Sequence, residues 1–168
     1  MSGLRLFPVP ADLTPESGWR LVVDGLVERP LALGLRDLRA LPASGLEDDF
    51  RCEEGWTAPA QRWRGVPLRA VLKRAGLRPD AAYLSISSGG FVAVLPLASV
   101  SDEDPLLALE LNGEPLPREH GGPLRLVARE VACFRSVKWV DRIEATSLPA
   151  NETALAIATA RVAKRSTP

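Results

Sequence analysis

The chain has 168 residues, a length that suits one domain with a sizeable buried core. Its 21 basic and 21 acidic residues balance, which gives no support for a broad nucleic-acid-binding or anionic-membrane surface. Two cysteines and one histidine exclude a disulfide framework, a cysteine-rich zinc site and a metal cage built from histidines.

No apolar run reaches the roughly 20 residues that would cross a bilayer, and no continuous apolar signal-peptide core is visible. We therefore expect no membrane span. We expect a cytoplasmic protein as the sequence stands, and a periplasmic one if a leader has been removed. The predicted domain covers residues 19–147, between an N-terminal extension at 1–18 and a C-terminal tail at 148–168 that forms a peripheral helix or a frayed end.

Fifteen prolines and thirteen glycines divide the chain into short segments, which predicts an α+β, β-rich fold with many short strands. The predicted elements, in chain order, are a strand at 19–24, a helix at 35–41, an extended segment at 48–52, a helix at 67–75, strands at 82–87 and 91–95, one or two helical turns at 102–109, a turn at 111–117, and strands at 123–127 and 137–145. The helix at 67–75 has the clearest signals, because Pro67 suits a first helical turn and Gly76 follows its end.

The segment from Arg51 to Leu68 is rich in tryptophan and arginine, and we expect it to form an irregular loop after a strand that ends at Cys52. Loops on a rigid scaffold often carry function, and a cysteine thiolate binds soft metals or attacks electrophiles. From the residues alone, Cys52 is either a reactive thiol of this kind or a buried, inert one.

Two motifs in this segment, R-C-x-E-x-W and W-x-G-x-P-L, are formed by Arg51, Cys52, Glu54 and Trp56, and by Trp63, Gly65, Pro67 and Leu68. They resemble the cysteine segment of the sulfite oxidase-like molybdopterin oxidoreductases, most closely the branch containing the bacterial periplasmic methionine-sulfoxide reductase catalytic subunit. The resemblance implies a single-domain sulfite-oxidase-type fold and a molybdenum–molybdopterin (Mo-MPT) cofactor, with Cys52 as the one protein ligand to molybdenum. One soft thiolate suffices because the cofactor's dithiolene supplies two further sulfur ligands.

The segment from 109 to 143 is similar to the second hallmark of the same family, with L-N-G-x-P-L-P, G-x-P-x-R and S-V-K in order. The residues that this resemblance places against the pterin or its phosphate are His120, Arg125, Ser136, Val137, Lys138 and Ser87. A guanidinium and an ammonium together suit a phosphate. Each residue also has an ordinary structural interpretation, such as a solvated arginine, an outward-facing strand lysine or a serine in a polar turn.

The resemblance implies two-electron oxygen-atom transfer on a small-molecule substrate, a sulfur or nitrogen oxide or an oxyanion. Electrons would pass to or from a separate haem protein or quinone-linked subunit. Sulfite would need cationic groups near the metal, and the candidates by sequence proximity are Arg51, Arg62, Arg64, Arg129 and Arg135.

Two alternatives stay open at this point. One is a non-catalytic molybdopterin-binding or scaffold domain of the same fold. The other is a thiol-dependent enzyme with Cys52 as nucleophile and His120 as base. Cys133 is interpreted as a structural or incidental thiol, and no match to the family's N-terminal pterin contacts is found before Trp19.

Overall fold

The computed structural model describes residues 3–52, 55–129 and 133–165, and within them it has ten strands and four helices. The strands are β1 (Leu21–Gly25), β2 (Leu31–Leu33), β3 (Ser44–Cys52), β4 (Trp56–Pro67), β5 (Tyr83–Ser88), β6 (Phe91–Pro96), β7 (Leu106–Leu111), β8 (Glu114–Pro115), β9 (Arg125–Val127) and β10 (Arg142–Thr146). The helices are α1 (Leu35–Arg39), α2 (Leu68–Ala75), α3 (Leu97–Glu103) and α4 (Thr153–Arg165), and two 3-10 turns lie at Arg118–His120 and Cys133–Arg135.

The strands form two sheets. The first has the order β2-β1-β10-β5-β6, in which β1 and β10 are parallel and the other neighbours are antiparallel. The second is antiparallel, with the order β3-β4-β7-β8 and with β9 paired to β7. This architecture confirms the predicted α+β, β-rich class.

The main core lies between the first sheet and the short helices. In β1, Leu21 and Val23 are fully buried while Val22 between them is exposed, as the two-residue period of a strand requires. Helix α2 buries Leu68, Val71, Leu72 and Ala75, which share one helical face. It ends at Gly76, whose φ of 73° lies in the left-handed region that suits glycine. The predicted helix is therefore confirmed, with Pro67 at its N-cap.

A smaller core covers one face of the second sheet. Its buried members are Leu4, Ala58, Trp63, Leu106, Ala108, Leu111, Leu116 and Val127. Leu4 reaches this core from the chain's beginning and is 7% exposed. The chain around Leu4 is thus packed against the second sheet. Across the described residues, no helix combines the length and the apolar character needed to cross a membrane.

The prediction of an irregular loop between Arg51 and Leu68 is wrong over most of its length, because β4 occupies Trp56–Pro67. The alternation is present in the sequence: Gln61 and Trp63 are buried, while Arg62 and Arg64 between them are exposed. Two prolines interrupt the strand pattern in the sequence. In the structure, the backbone of Ala60 also departs from strand geometry, with a φ of 49°.

Two further elements differ from their predictions. The helix expected at 102–109 lies earlier, as α3, and Leu106–Leu111 is a strand paired on both sides, by β4 and by β9. A strand buried in this way carries a continuous apolar run that periodicity does not distinguish from a helix.

The strand expected at 137–145 begins at Arg142, because the preceding residues follow another path. Trp139 has a φ of 54°. Its N–H donates to Gly121 O at 3.0 Å, and the N–H of Val140 donates to Leu124 O at 2.9 Å. The helix at 35–41, the strands at 19–24, 82–87, 91–95 and 123–127, the extended segment at 48–52 and the turn at 111–117 are confirmed within a few residues, and the C-terminal tail contains α4.

Substitution of Gly65 by alanine tests the close approach of β4 to β7. A Cβ at this position overlaps the backbone carbonyl of Leu107, which lies in the strand interior and has no room to move. We expect Gly65→Ala to lower the free energy of unfolding by about 1–3 kcal/mol, measured by urea denaturation. Gly90→Ala is the matched control, because a Cβ there meets open space. Equal stability of the two variants would contradict the described packing.

Candidate functional site

A cavity of about 470 Å³ opens where the second sheet, the β5–β6 turn, the N-terminal segment and α4 meet. Its wall combines two thiols, four basic side chains and several aromatic rings and prolines. The thiols and basic residues that line it are Cys52, Cys133, Arg5, Arg125, Lys138 and Arg161. Among the described residues of this wall there is no aspartate or glutamate. The arrangement therefore favours an anionic ligand.

Arg125 is the most deeply buried of these cations, with 3% of its surface exposed. Its guanidinium lies between two rings, 4.8 Å from the Phe50 centroid and 5.1 Å from the Trp63 centroid. Nη1 donates to the backbone carbonyl of His120 at 3.0 Å, while buried Nε has no hydrogen-bond partner among the described residues. Burial lowers the pKa of Arg125 to about 10, and nearby Cys133 and Cys52 oppose that lowering.

Lys138 places a second cation in the same wall. Its Nζ donates to Glu119 O at 3.2 Å and lies 4.4 Å from the Phe7 ring centroid. Burial, and then the charges of Arg125 and Arg161, lower the pKa of Lys138 to about 7. The negative charge of an anion bound here would oppose this lowering.

Cys52 is held at the point where β3 turns into β4. It pairs with Trp56 across the two strands, and its carbonyl accepts from Gly55 N–H at 2.9 Å. The 3-10 turn at Cys133–Arg135 packs against this end of β3, so the two cysteine sulfurs lie 2.9 Å apart. Both cysteines are half-buried, and no disulfide joins them.

Helix α4 is docked by its first turn, which brings Arg161 to the cavity. Thr153 Oγ1 accepts from Val92 N–H at 2.9 Å and donates to Gly90 O at 2.8 Å. Glu152 accepts from Val94 N–H at 3.1 Å and from Arg135 at 3.4 Å. These contacts join α4 to β6 and to the turn that carries Cys133.

The predicted site residues divide into two groups in the structure. The cavity is lined by Cys52, Arg125, Ser136 and Lys138. His120, Val137 and Ser87 are not among the described residues of its wall, although Ser88 is. Glu54 of the R-C-x-E-x-W motif lies outside the described residues.

His120 and Val137 contribute through their backbones. The carbonyl of His120 accepts from Arg125, and the carbonyl of Val137 accepts from Leu126 N–H at 2.9 Å. The His120 side chain is buried, and its pKa is lowered by desolvation and then by the charge of Lys138. Because His120 is not part of the described wall around Cys52, the structure gives no support for a Cys52–His120 nucleophile and base.

The five arginines chosen by sequence proximity as sulfite-binding candidates are absent from the described cavity wall. Arg62 and Arg64 point outward on β4, and Arg64 is in an exposed ion pair with Glu110 at 3.3 Å. The cations that do line the cavity with Arg125 and Lys138 are Arg5 and Arg161. Both lie outside the motifs, so sequence reasoning missed them. Phe7, which contacts Lys138 and Arg161, is missed for the same reason.

Within the part of the chain that the structure describes, no group of three His, Cys, Asp or Glu side chains is placed to hold a metal ion. The site therefore offers a single pair of thiols as soft ligands. A metal bound here needs further ligands from a cofactor.

Comparison with known proteins gives one matching family and relatives that are named as oxidoreductases or reductases. A family profile described as "Oxidoreductase molybdopterin binding domain" matches residues 6–154. The chain is 36% identical over 129 residues to "Uncharacterized oxidoreductase YuiH" of Bacillus subtilis, which covers 76% of this chain and 65% of that protein. It is 32% identical over 146 residues to "Protein-methionine-sulfoxide reductase catalytic subunit MsrP" of Gluconobacter oxydans, covering 74% of this chain and 46% of that protein.

The fold is similar to a solved structure, the sulfane dehydrogenase SoxCD from Paracoccus pantotrophus. The TM-score is 0.74 at 28% identity, with 83% of this chain and 41% of that chain covered. The chain spans less than two thirds of the length of each of these three proteins.

The lowered pKa of Lys138 predicts a pH dependence of stability. Between pH 7 and about 10.5 the unfolded chain holds this proton and the folded chain has released it, so stability contributed by this group rises with pH across that window. We expect Lys138→Met to remove the contribution of this group to the rise of the unfolding free energy with pH. The measurement is urea denaturation of the cofactor-free protein at several pH values. Lys73→Met, on the exposed face of α2, should keep the wild-type slope. Parallel profiles for wild type and Lys138→Met would contradict the burial of this ammonium.

Proposed function

Because the chain belongs to the oxidoreductase molybdopterin binding domain family, we propose that it is a molybdenum–molybdopterin oxidoreductase with Cys52 as the protein ligand to the metal. The observation that carries this proposal is the meeting of Cys52 with Arg5, Arg125, Lys138 and Arg161 in one cavity. A soft thiol and a set of cations are the two features that a metal dithiolene with a phosphate tail requires.

The buried guanidinium of Arg125 shows how the residues of the cavity suit a cofactor that carries a phosphate. A buried charge without a counter-ion is destabilising, and Arg125 has no ion pair with a described carboxylate. Its Nε is a buried donor with no described partner. An anion in the cavity would accept from this donor and balance the charge, so the residues present fit a phosphate-bearing cofactor.

The residues divide into those for the phosphate and those for the pterin. Arg125 and Lys138 would hold the phosphate, the first as a planar fork and the second as a point charge. The pterin contacts that the family resemblance assigns are His120, Ser136, Val137 and Ser87. The loop that carries Ser136, Val137 and Lys138 is fixed by backbone hydrogen bonds to 121–126, so its groups are preorganised for binding.

The chain's own residues have defined parts in the proposed reaction. When bound, the cofactor supplies a two-electron redox centre suited to oxygen-atom transfer. The Cys52 thiolate would bind the metal, and the cations would hold the cofactor's anionic end. Phe50, Trp56 and Phe91 supply apolar surface to the cavity wall. As the family resemblance implies, we propose a separate haem protein or quinone-linked subunit as the partner that exchanges the electrons.

The composition of the cavity wall favours a neutral oxide as substrate. Arg125 and Lys138 are assigned to the cofactor's phosphate, which leaves Arg5 and Arg161, and most of the remaining wall is aromatic or proline. An apolar surface of this kind suits a neutral oxide better than a dianion such as sulfite. We therefore assign the substrate class as a small sulfur or nitrogen oxide, in agreement with the similarity to a methionine-sulfoxide reductase catalytic subunit.

Molybdenum content tests the proposed function directly. We expect near-stoichiometric molybdenum, by elemental mass spectrometry, in protein purified from a host that makes molybdopterin. In Cys52→Ser the cysteine's contribution to the sulfur-to-metal absorption should be lost, while the contribution of the dithiolene remains, because an alkoxide is a harder ligand than a thiolate. Cys133→Ser, which changes the neighbouring thiol, should keep that absorption.

Absence of molybdenum from the wild-type protein under cofactor-replete conditions would contradict the catalytic proposal. The fold assignment would stand, and the chain would then be a scaffold domain. Retention of the wild-type spectrum by Cys52→Ser would contradict the assignment of the metal ligand alone.

The substrate class is tested by running both reaction directions on the loaded protein. We expect reduction of a small sulfoxide or amine N-oxide with a reduced dye as electron donor. We expect sulfite oxidation with ferricyanide as acceptor to be slower by at least about tenfold in kcat/KM, because the apolar wall does not compensate a dianion. A faster sulfite reaction would reverse this assignment.

A further inference from the structure

The two cysteines form a pair within the cavity although they are 81 positions apart in the chain. Their Sγ atoms lie 2.9 Å apart, and both side chains are half-buried and line the cavity wall. The pair arises because β3 ends at Cys52 where the turn at Cys133–Arg135 packs against that end. Hence Cys133 is not an isolated thiol, as its sequence position suggests, but a neighbour of the proposed metal ligand.

We propose that Cys52 and Cys133 form a reversible disulfide in the cofactor-free protein, and that this bond must be reduced before Cys52 can bind metal. The proposal rests on the assignment of Cys52 as the molybdenum ligand. A disulfide has sulfurs about 2.05 Å apart, so the two atoms need to approach by about 0.9 Å. A shift of this size is within the reach of two cysteine side chains that already touch.

The surroundings of the pair are suited to the exchange reaction. The guanidinium of Arg125 is near enough to both thiols to interact with them electrostatically. The cavity leaves both sulfurs open to a small oxidant. The turn that carries Cys133 is closed by the hydrogen bond from Ser136 N–H to Cys133 O at 3.0 Å, which keeps the second sulfur in place.

The oxidant is a low-molecular-weight disulfide. One cysteine thiolate attacks it, forming a mixed disulfide and releasing one thiolate. The second cysteine, as its thiolate, attacks the protein-bound sulfur, forming the Cys52–Cys133 bond and releasing the other thiolate. In total the two cysteines lose two protons and two electrons, and the oxidant gains both as two thiols. A small dithiol reverses the reaction.

Metal binding and disulfide formation compete for the same sulfur. In the disulfide, Cys52 has no thiolate to donate to a metal. With metal bound, the Cys52 sulfur is no longer a nucleophile for exchange. The pair therefore makes the loading of the site dependent on the thiol–disulfide balance, and it protects the empty ligand from irreversible oxidation.

The first experiment uses the full chain purified in reducing buffer from a host that makes no molybdopterin. After incubation with oxidised glutathione, we expect the two titratable thiols to be lost and mass spectrometry to show a Cys52–Cys133 cross-linked peptide without glutathione. Cys133→Ser and Cys52→Ser should each give a glutathione adduct on the remaining cysteine. Two glutathione adducts on the wild-type chain, or two thiols that remain reduced, would overturn the proposal.

The second experiment tests the link to metal binding. Oxidised wild-type protein is incubated with released molybdenum cofactor, and the contribution of the cysteine to the sulfur-to-metal absorption is recorded before and after addition of a phosphine reductant. We expect this contribution to be absent until the reductant is added, whereas wild-type protein and Cys133→Ser that were never exposed to oxidised glutathione should both acquire it without reductant. If the disulfide form of the wild type acquired this absorption before any reductant was added, the proposal that the disulfide controls metal loading would be overturned.

The two proposals fail in different ways. If the disulfide forms but Cys52→Ser has the wild-type metal spectrum, the ligand assignment fails and with it the control of loading, while the disulfide stands. If Cys52→Ser loses the metal spectrum but no disulfide forms in the wild type, the further inference fails and the proposed function stands.

Discussion

The buried guanidinium of Arg125 is the constraint around which the site is organised. A charge with 3% exposure is stable when aromatic faces, carbonyl oxygens or a counter-ion replace its water. Phe50 on β3 and Trp63 on β4 supply the two faces, and His120 supplies one carbonyl. Nε of Arg125 has no hydrogen-bond partner among the described residues, and Arg125 lines the cavity. The second sheet thus holds a cation ready for an anionic ligand.

The same packing explains why the proposed metal ligand and the proposed phosphate-binding cations share one cavity. Cys52 lies at the end of β3, and Arg125 lies on β9, which is separated from β3 by the two strands β4 and β7. The loop with Ser136 and Lys138 is bonded to the residues just before β9 and to β9 itself. A displacement of β4 or β9 would therefore move the soft ligand and the charges relative to each other. Precision of this kind is what a cofactor with a metal at one end and a phosphate at the other requires.

Much of the fold could be predicted from the sequence, and of the predicted site residues Cys52, Arg125, Ser136 and Lys138 line the described cavity. Helix α2 and strands β5 and β6 follow local rules of periodicity and turn chemistry, and these rules hold where one face is buried and the other is wet. They failed at Leu106–Leu111, which is paired on both sides, and at Trp139, whose backbone is set by bonds to residues 121–124. In both cases distant segments, and not local propensity, decided the conformation.

The sequence by itself determined the family, through two ordered motifs that place a cysteine, an arginine and a lysine at characteristic spacings. It also determined that a redox metal here needs ligands from a cofactor, because one histidine and two cysteines are too few. The tertiary structure alone decided that Arg5, Phe7 and Arg161 join the cavity, and that Cys133 touches Cys52. These residues come from chain segments whose meeting depends on how two sheets and a terminal helix pack, and no local pattern encodes that packing.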